Sequence, residues 1–388
     1  MKSESPEVSV VMPCLDEADT IRVCIEKAYK AFKENGIDGE IIVADNGSMD
    51  DSVSIAEECG ARIIHVKEKG YGNALMGGIN ASNSQFIIMG DADDSYNWLE
   101  LNKFLEKLRE GYDLVQGCRL PTGGGKINPG AMPFSHRWIG NPLFSYLVRK
   151  WFKAPISDVW CGMRGFTKVL YKQLGLRCTG MEFATEMIIR ATLDSAKISE
   201  VPITLHKDGR TSHAPHLRTI RDGWRTLRFF LMYSPRWLYL IPGLILISTG
   251  GIGYLLALPG ISIGEAILDV HTLLYSSLFI LCGYQAILFA LFTKIFAIRE
   301  KFTPKEYKIE KFFQIVTLER GLIVSIISFI LGISMLTVTF LIWQSIDFGE
   351  LDYSKTMKWS IPGATLTAFG FQNLLASFFI SILQMERK

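Results

Sequence analysis

The 388-residue sequence is marked first by what it does not contain. There is no Walker A run and no GxGxxG fingerprint, which disfavours an ATPase or a dinucleotide-dependent dehydrogenase. Seven cysteines (Cys14, Cys24, Cys59, Cys118, Cys161, Cys178, Cys282) form no CxxC pair and no metal-finger spacing. They read as reduced thiols rather than zinc ligands or a disulfide frame. Net charge is nearly absent: 41 Lys and Arg against 39 Asp and Glu leave +2, so overall charge points neither to nucleic acid nor away from it. The opening residues, MKSESPEVSVVMP, hold no apolar signal core, and the first domain is expected to stay on the side where it is made.

Apolar content is concentrated at one end. Beyond about Arg236, four runs are long enough to cross a bilayer, which takes roughly 20 apolar residues: 237–258, 272–297, 321–343 and 361–383. No Asp, Glu, Lys or Arg lies near their centres, which argues against a proton or ion path. The loop 259–271 has no Lys or Arg, whereas 294–320 carries Lys294, Arg299, Lys301, Lys305, Lys308, Lys311 and Arg320. The positive-inside rule then predicts both termini and the second loop on the cytoplasmic side, making this an integral protein of the cytoplasmic or an ER-type membrane. Three regions are expected: a cytoplasmic domain over 1–210, a basic amphipathic helix over 211–236 lying in the interface, and a four-helix membrane domain over 237–388.

The first region alternates short apolar strands (8–13, 41–44, 61–66, 86–89, 113–116) with helical patterns (17–34, 52–59, 73–83, 98–109). Such alternation predicts an α/β fold with a mainly parallel, Rossmann-like sheet covered on both faces. Ligands of such sheets bind beyond the carboxyl ends of the strands. Strand after strand here ends in acid or glycine: Asp16-Glu17, then Asp45-Asn46-Gly47-Ser48-Met49-Asp50, then Gly70-Tyr71-Gly72, then Asp91-Ala92-Asp93-Asp94. Singly, each has a bland explanation, as a helix cap or a turn. Together they predict a nucleotide and metal site. Asp91 and Asp93, one residue apart after a buried strand, suit a hard cation, Mg²⁺ or Mn²⁺, which would bridge diphosphate oxygens.

These residues resemble glycosyltransferase family 2, whose catalytic domain has the GT-A fold. The resemblance rests on Val11-Met12-Pro13 with Asp16-Glu17, on the Asp45–Asp50 loop, and on Asp91-Ala92-Asp93. Within the family the polyprenyl- or dolichyl-phosphate sugar synthases are most similar, through Gly117-Cys118-Arg119, the 158–164 segment DVWCGMR, and the 208–212 segment DGRTS. The resemblance implies that Pro13, Asp16, Glu17, Asp45, Gly70, Asp91, Ala92 and Arg119 bind the sugar nucleotide, with Asp45 near the base. It also implies that Asp91 and Asp93 hold the metal and that Asp93 is catalytic. Some relatives add a third metal ligand, a Gln two residues beyond the second Asp; Ser95 stands there in this chain and is the candidate third ligand. Asp158 is a candidate sugar-facing carboxylate, as base or as orienting group, with an ion pair to Arg164 as the structural alternative. Of Glu182 and Glu186, one helical turn apart, one is expected to be structural.

Two segments suggest a lipid acceptor. The first, 134–152 (FSHRWIGNPLFSYLVRKWF), is aromatic yet too polar to span, and could equally pack beneath the sheet. In the second, Leu217, Ile220, Trp224, Leu227 and Leu231 recur at helical spacing beside Arg218, Arg221, Arg225 and Arg228. A basic helix of this kind running into a span belongs in the interface, as an anchor or as a phosphate site. Arg164, Arg210, Ser212, Arg218 and Arg221 are the candidates for the acceptor phosphate. The expected partners are a nucleotide-diphosphate sugar, a polyprenyl phosphate and the bilayer, without nucleic acid; a homo-oligomer is left open. The predicted reaction is inverting hexosyl transfer from UDP-glucose or GDP-mannose to polyprenyl phosphate. A processive polysaccharide synthase and a non-catalytic transport component are the alternatives. Synthases of that kind use Thr-Glu-Asp and Gln-x-x-Arg-Trp, where this chain has Thr185-Glu186-Met187 and Tyr233-Ser234-Pro235-Arg236-Trp237, without the Asp and the Gln.

Overall fold

A computed structural model of the protein describes residues 5–211, 219–299 and 317–385. Residues 1–230 and 231–388 form two compact units, with the boundary inside one helix.

The first unit is built on a seven-stranded sheet of order β3-β2-β1-β4-β7-β5-β8. Its strands are β1 (Val8–Cys14), β2 (Gly39–Asp45), β3 (Arg62–His65), β4 (Phe86–Met89), β5 (Leu114–Cys118), β7 (Arg164–Thr167) and β8 (Ile198–Pro202). Two short strands, β6 (Lys126–Ile127) and β9 (Thr204–Leu205), pair separately. The central strands are apolar on both faces because helices cover both. Val8, Val10, Val11 and Met12 of β1 are fully buried, as are Ile42, Val43 and Ala44 of β2. Helix α1 (Ile21–Asn35) lays Ile21, Cys24, Ile25, Ala28, Ala31 and Phe32 against the sheet, the spacing of one helical face. It stops at Gly36, which takes the left-handed conformation (φ 59°) and returns its N–H to the Phe32 carbonyl. The other helices of this unit are α2 (Ser52–Glu58), α3 (Tyr71–Ala81), α4 (Leu101–Arg109), α5 (Asn141–Phe152), α6 (Lys168–Leu174) and α7 (Glu182–Leu193). Helix α8 (Thr219–Tyr233) follows and crosses the unit boundary.

Two features of the sheet decide where a ligand can bind. The strand order reverses between β1 and β4, which pair in parallel with Val11 opposite Met89. A reversal of this kind opens a crevice at the carboxyl ends of both strands. The strand β7, absent from the expected set, runs antiparallel between β4 and β5, with Arg164 opposite both Met89 and Gln116. It therefore starts at the edge where its parallel neighbours end, and the 158–163 loop before it lies at that same edge.

Among the described residues the second unit has four helices long and apolar enough to span a membrane. They are α9 (Ile241–Ala257), entered through a π-helical turn at Arg236–Leu240, then α10 (Val270–Arg299), α11 (Leu318–Ser345) and α12 (Tyr353–Gln384). Small residues let them approach closely, as expected where lipid removes the hydrophobic drive for helix association. A Cβ on Gly243 of α9 would lie 2.8 Å from the Gly283 carbonyl of α10. One on Gly370 of α12 would lie 2.7 Å from the Ser325 carbonyl of α11. Asn373 ties three helices: its amide donates to the Gly321 carbonyl (3.0 Å) and Ser325 Oγ (2.8 Å), and its oxygen accepts from the Tyr284 hydroxyl (2.8 Å).

Candidate active site

The carboxyl edge of the sheet carries the site. Asp91 and Asp93 follow β4 at the reversal point. Tyr71, the first residue of α3, donates its hydroxyl to Asp91 Oδ1 at 2.8 Å. The 158–163 loop closes against the other oxygen: a Cβ on Gly162 would come 2.8 Å from Asp91 Oδ2. Burial and the neighbouring Asp93 charge hold the Asp91 carboxyl well above the ordinary carboxylate range. Burial likewise pushes the Tyr71 phenol up, so it remains a donor.

Asp93 is fixed from two sides. Its Oδ1 accepts from the Ser95 amide (3.0 Å) and hydroxyl (2.6 Å), and its Oδ2 lies 3.5 Å from Arg210 Nη2. Arg210 also grips Glu17 with two parallel bonds, Nε to Oε2 at 2.7 Å and Nη2 to Oε1 at 2.6 Å, and reaches Asp208 at 3.0 Å. The Gly209 amide donates to the Asp93 carbonyl, which fastens the 206–210 segment over the acidic turn. Expected as a ligand of lipid phosphate, Arg210 is instead committed to carboxylates at the sheet edge. The Ser95 hydroxyl, expected as a third metal ligand, is spent on orienting Asp93.

The loops after β1 and β2 are stitched together. Asp16, at φ 59°, accepts from the Met49 amide at 2.7 Å, and its own amide donates to Ser48 Oγ at 3.1 Å. Asp45, buried at the end of β2, accepts from the Ser48 amide at 2.9 Å and pairs with His65 Nδ1 at 3.1 Å. Burial alone would raise its pKa; hydrogen bonds from Ser48, His65 and Gly47 outweigh that and hold it below the ordinary value. Asn46 spans to the next loop, donating to Val66 and Glu68 and accepting from the Gly70 amide at 2.7 Å. Gly70 is where a side chain cannot fit: a Cβ would sit 2.4 Å from the Thr179 carbonyl, and φ is 138°. Its requirement for glycine therefore follows from its own φ and from the backbone of Thr179. Pro13 lies within β1 opposite Ala44, and Ala92 is buried between the two acids.

Three expected site residues, Asp158, Arg119 and Arg164, are buried. Asp158 is fully buried, and both its oxygens are taken by Arg119: Nε to Oδ2 at 2.8 Å, Nη2 to Oδ1 at 2.9 Å, with the Arg119 amide on Oδ2 at 3.0 Å. Its ion-pair partner is thus Arg119, not Arg164, and this pair accounts for both residues. Arg164, also fully buried and expected at the acceptor phosphate, donates its two terminal nitrogens to the carbonyls of Ala184 and Cys161. These contacts hold the 158–163 loop, aided by Gln116 Nε2 on the carbonyls of Asp158 and Cys161 and by the Gly162 amide on the Tyr96 hydroxyl. Of the glutamate pair, Glu186 is the structural one: buried, it accepts from the Arg177 and Cys178 amides. Ser212 and Arg218 lie outside the described residues. Arg221 lies in α8, with its side chain outside what is described.

Tyr71, Tyr96, Gln116 and Glu200, the last accepting from the Ser157 and Asp158 amides, are supporting residues that the sequence patterns did not single out. Only Tyr71 left a trace there, as the residue between two glycines at a strand end.

Among the described residues no three His, Cys, Asp or Glu side chains converge into a cage. Magnesium-type sites use one or two carboxylates that share the ion with substrate phosphates. Asp91 and Asp93 are such a pair, and their mutual repulsion is the charge a cation would balance.

A face of the first unit is prepared differently. Helix α5 packs Phe144, Val148 and Phe152 inward, with Phe144 and Phe152 against Phe230 of α8. Before and along it, Phe134 (74 % exposed), Trp138 (61 %), Ile139, Leu143 and Tyr146 face outward. Arg137 stacks over Trp138, and Lys150 over Tyr146. The segment expected to pack beneath the sheet or to meet lipid thus packs on one side and exposes an apolar, cationic surface on the other.

Comparison with known proteins gives a consistent picture. Residues 9–175 match the glycosyl transferase family 2 profile, and residues 291–384 match that of the glycosyltransferase family 2 C-terminal transmembrane region. The low-salt glycan biosynthesis hexosyltransferase Agl6 of Haloferax volcanii is 33 % identical over 381 residues, 98 % of this chain and 89 % of the relative. A dolichyl-phosphate hexose transferase of the same organism is 32 % identical over 163 residues, 42 % of this chain and 68 % of the relative. Among solved structures, glucosyl-3-phosphoglycerate synthase from Mycobacterium tuberculosis with UDP aligns at a TM-score of 0.46 and 20 % identity, over 58 % of this chain and 79 % of that one. With a GT-A-like sheet in one unit and four membrane-length helices among the described residues of the other, the chain belongs to glycosyltransferase family 2, with that family's C-terminal transmembrane region.

Proposed function

We propose that this enzyme transfers a hexose from a nucleoside-diphosphate sugar to a polyprenyl phosphate at the cytoplasmic face of the membrane, with inversion at the anomeric carbon. The observation that carries the reading is the Asp91/Asp93 pair at the β1/β4 reversal, where a sugar nucleotide's diphosphate would meet both carboxylates. A bound Mg²⁺ or Mn²⁺ would supply charge stabilisation to the leaving diphosphate. Asp45 and the stitched loops after β1 and β2 would receive the nucleoside. A phosphate monoester is already anionic at pH 7, with a second pKa near 6, so the acceptor needs no strong base. That suits a site whose Asp158 is closed off by Arg119. Alignment of the phosphate, anomeric carbon and leaving oxygen then does most of the catalytic work. The names of the two Haloferax relatives support hexose as the sugar and a dolichyl-type acceptor. The exposed aromatic and cationic surface at 134–150 suits an acceptor that arrives at a lipid interface.

The test offers purified protein a panel of radiolabelled sugar nucleotides with one polyprenyl phosphate and Mn²⁺. One donor, expected to be UDP-glucose or GDP-mannose, should give a labelled lipid product that disappears with EDTA and in Asp93→Asn. Polymeric product formed without lipid phosphate would make the enzyme a processive synthase, and no transfer from any donor would overturn the assignment.

A further inference from the structure

Resting on the metal reading just given, we propose that Tyr71 is a positioning residue for the metal carboxylate Asp91, and that it sets the affinity of the site for its divalent cation. Its hydroxyl lies 2.8 Å from Asp91 Oδ1 and donates to it. The opposite oxygen is bounded by the Gly162 backbone, so the carboxylate is gripped between a donor on one side and a wall on the other. Without the phenol, Asp91 would be free to turn away from Asp93, whose like charge repels it.

The phenol itself cannot drift. Tyr71 opens α3 between two glycines that are pressed onto neighbouring backbone. A Cβ on Gly70 or Gly72 would come 2.4 Å from the carbonyls of Thr179 and Cys178, respectively. The Gly72 amide donates to the Thr179 carbonyl at 2.9 Å, and the Gly70 amide to Asn46 Oδ1 at 2.7 Å. Asn46 follows Asp45 at the end of β2. The Gly-Tyr-Gly turn thereby couples the loop expected to hold the nucleoside to the carboxylate expected to hold the metal. A site that binds its ion together with a nucleotide diphosphate needs both ends held in register; the Gly70 amide holds the one end through Asn46, and the Tyr71 hydroxyl the other through Asp91. It does not touch the reacting atoms.

The experiment compares wild-type and Tyr71→Phe full-length protein in detergent, measuring Mn²⁺ binding in the presence of UDP by electron paramagnetic resonance of the free ion. A hydrogen bond to a charged group contributes enough that Tyr71→Phe should weaken Mn²⁺ binding roughly ten- to a hundredfold. In turnover, the Mn²⁺ concentration for half activation should rise by the same factor. The kcat at saturating Mn²⁺ should recover to near wild type, a split that a merely structural role would not produce. Thermal melts without metal report folding, and Tyr71→Leu serves if the Phe variant fails to fold. Unchanged Mn²⁺ affinity in a folded variant overturns the role of Tyr71 alone. Wild-type protein that binds no Mn²⁺ with UDP present overturns the metal reading, and this role with it.

Discussion

Arg210 reaches across 193 residues of chain to hold Glu17 by both carboxylate oxygens, at 2.6 and 2.7 Å, with 6–10 % of either side chain exposed. The pair joins the loop after β1 to the segment after β9, and Arg210 Nη2, already on Glu17 Oε1, also lies 3.5 Å from Asp93 Oδ2.

Arg210→Gln should therefore act on stability and on turnover together. Removing one partner of a buried ion pair leaves the other charge uncompensated, at about 3–5 kcal/mol. The double variant Glu17→Gln/Arg210→Gln should recover part of that loss in thermal melts of the detergent-solubilised protein. A folded Arg210→Gln protein with only a raised KM for polyprenyl phosphate would instead return Arg210 to the acceptor site.

Asp158 separates a base from a brace. As the buried partner of Arg119, its replacement by Asn should destabilise the first unit by about 3–5 kcal/mol, and kcat should fall in step with the folded fraction. The pH profile of the remaining activity should keep its shape. Loss of an acidic limb at unchanged melting temperature would mean that the carboxylate takes part in proton transfer.

Asp45 carries a pH signature of defined sign. Its carboxyl lies below the ordinary value in the folded protein. Its contribution is thus fully present above about pH 4, the unfolded value, and is lost as pH falls through the lower folded value. The melting temperature of wild type should exceed that of Asp45→Asn at pH 7, and the gap should narrow toward pH 3. A gap that stays constant down to pH 3 would show that the charge on Asp45 contributes nothing to it.

Topology is tested by reporters. Fusions after Pro259 and after Asp347 should report the non-cytoplasmic side, and fusions within 302–314, in the cationic loop, the cytoplasmic side. A cytoplasmic reporter at Pro259 would break the proposed orientation.

What the sequence determined is local and periodic. Alternation of strand and helix patterns up to residue 116 defines the parallel half of the sheet, because strand ends and amphipathic faces are written in neighbouring residues. The acidic and glycine turns at Asp16, Asp45, Gly70 and Asp91 are visible for the same reason. So are the four spans, since a bilayer demands an unbroken apolar length. What the tertiary structure decided is which charges meet. Nothing in the 158–164 segment announces that β7 enters the sheet antiparallel, yet that reversal alone brings Gly162 to Asp91 and seals Asp158 against Arg119. Arg210, read from its basic neighbourhood as a lipid ligand, turned out to be held by Glu17 and Asp208. Charge along a sequence shows how many cations a segment has; burial and distance between residues far apart in the chain determine which carboxylate each one satisfies.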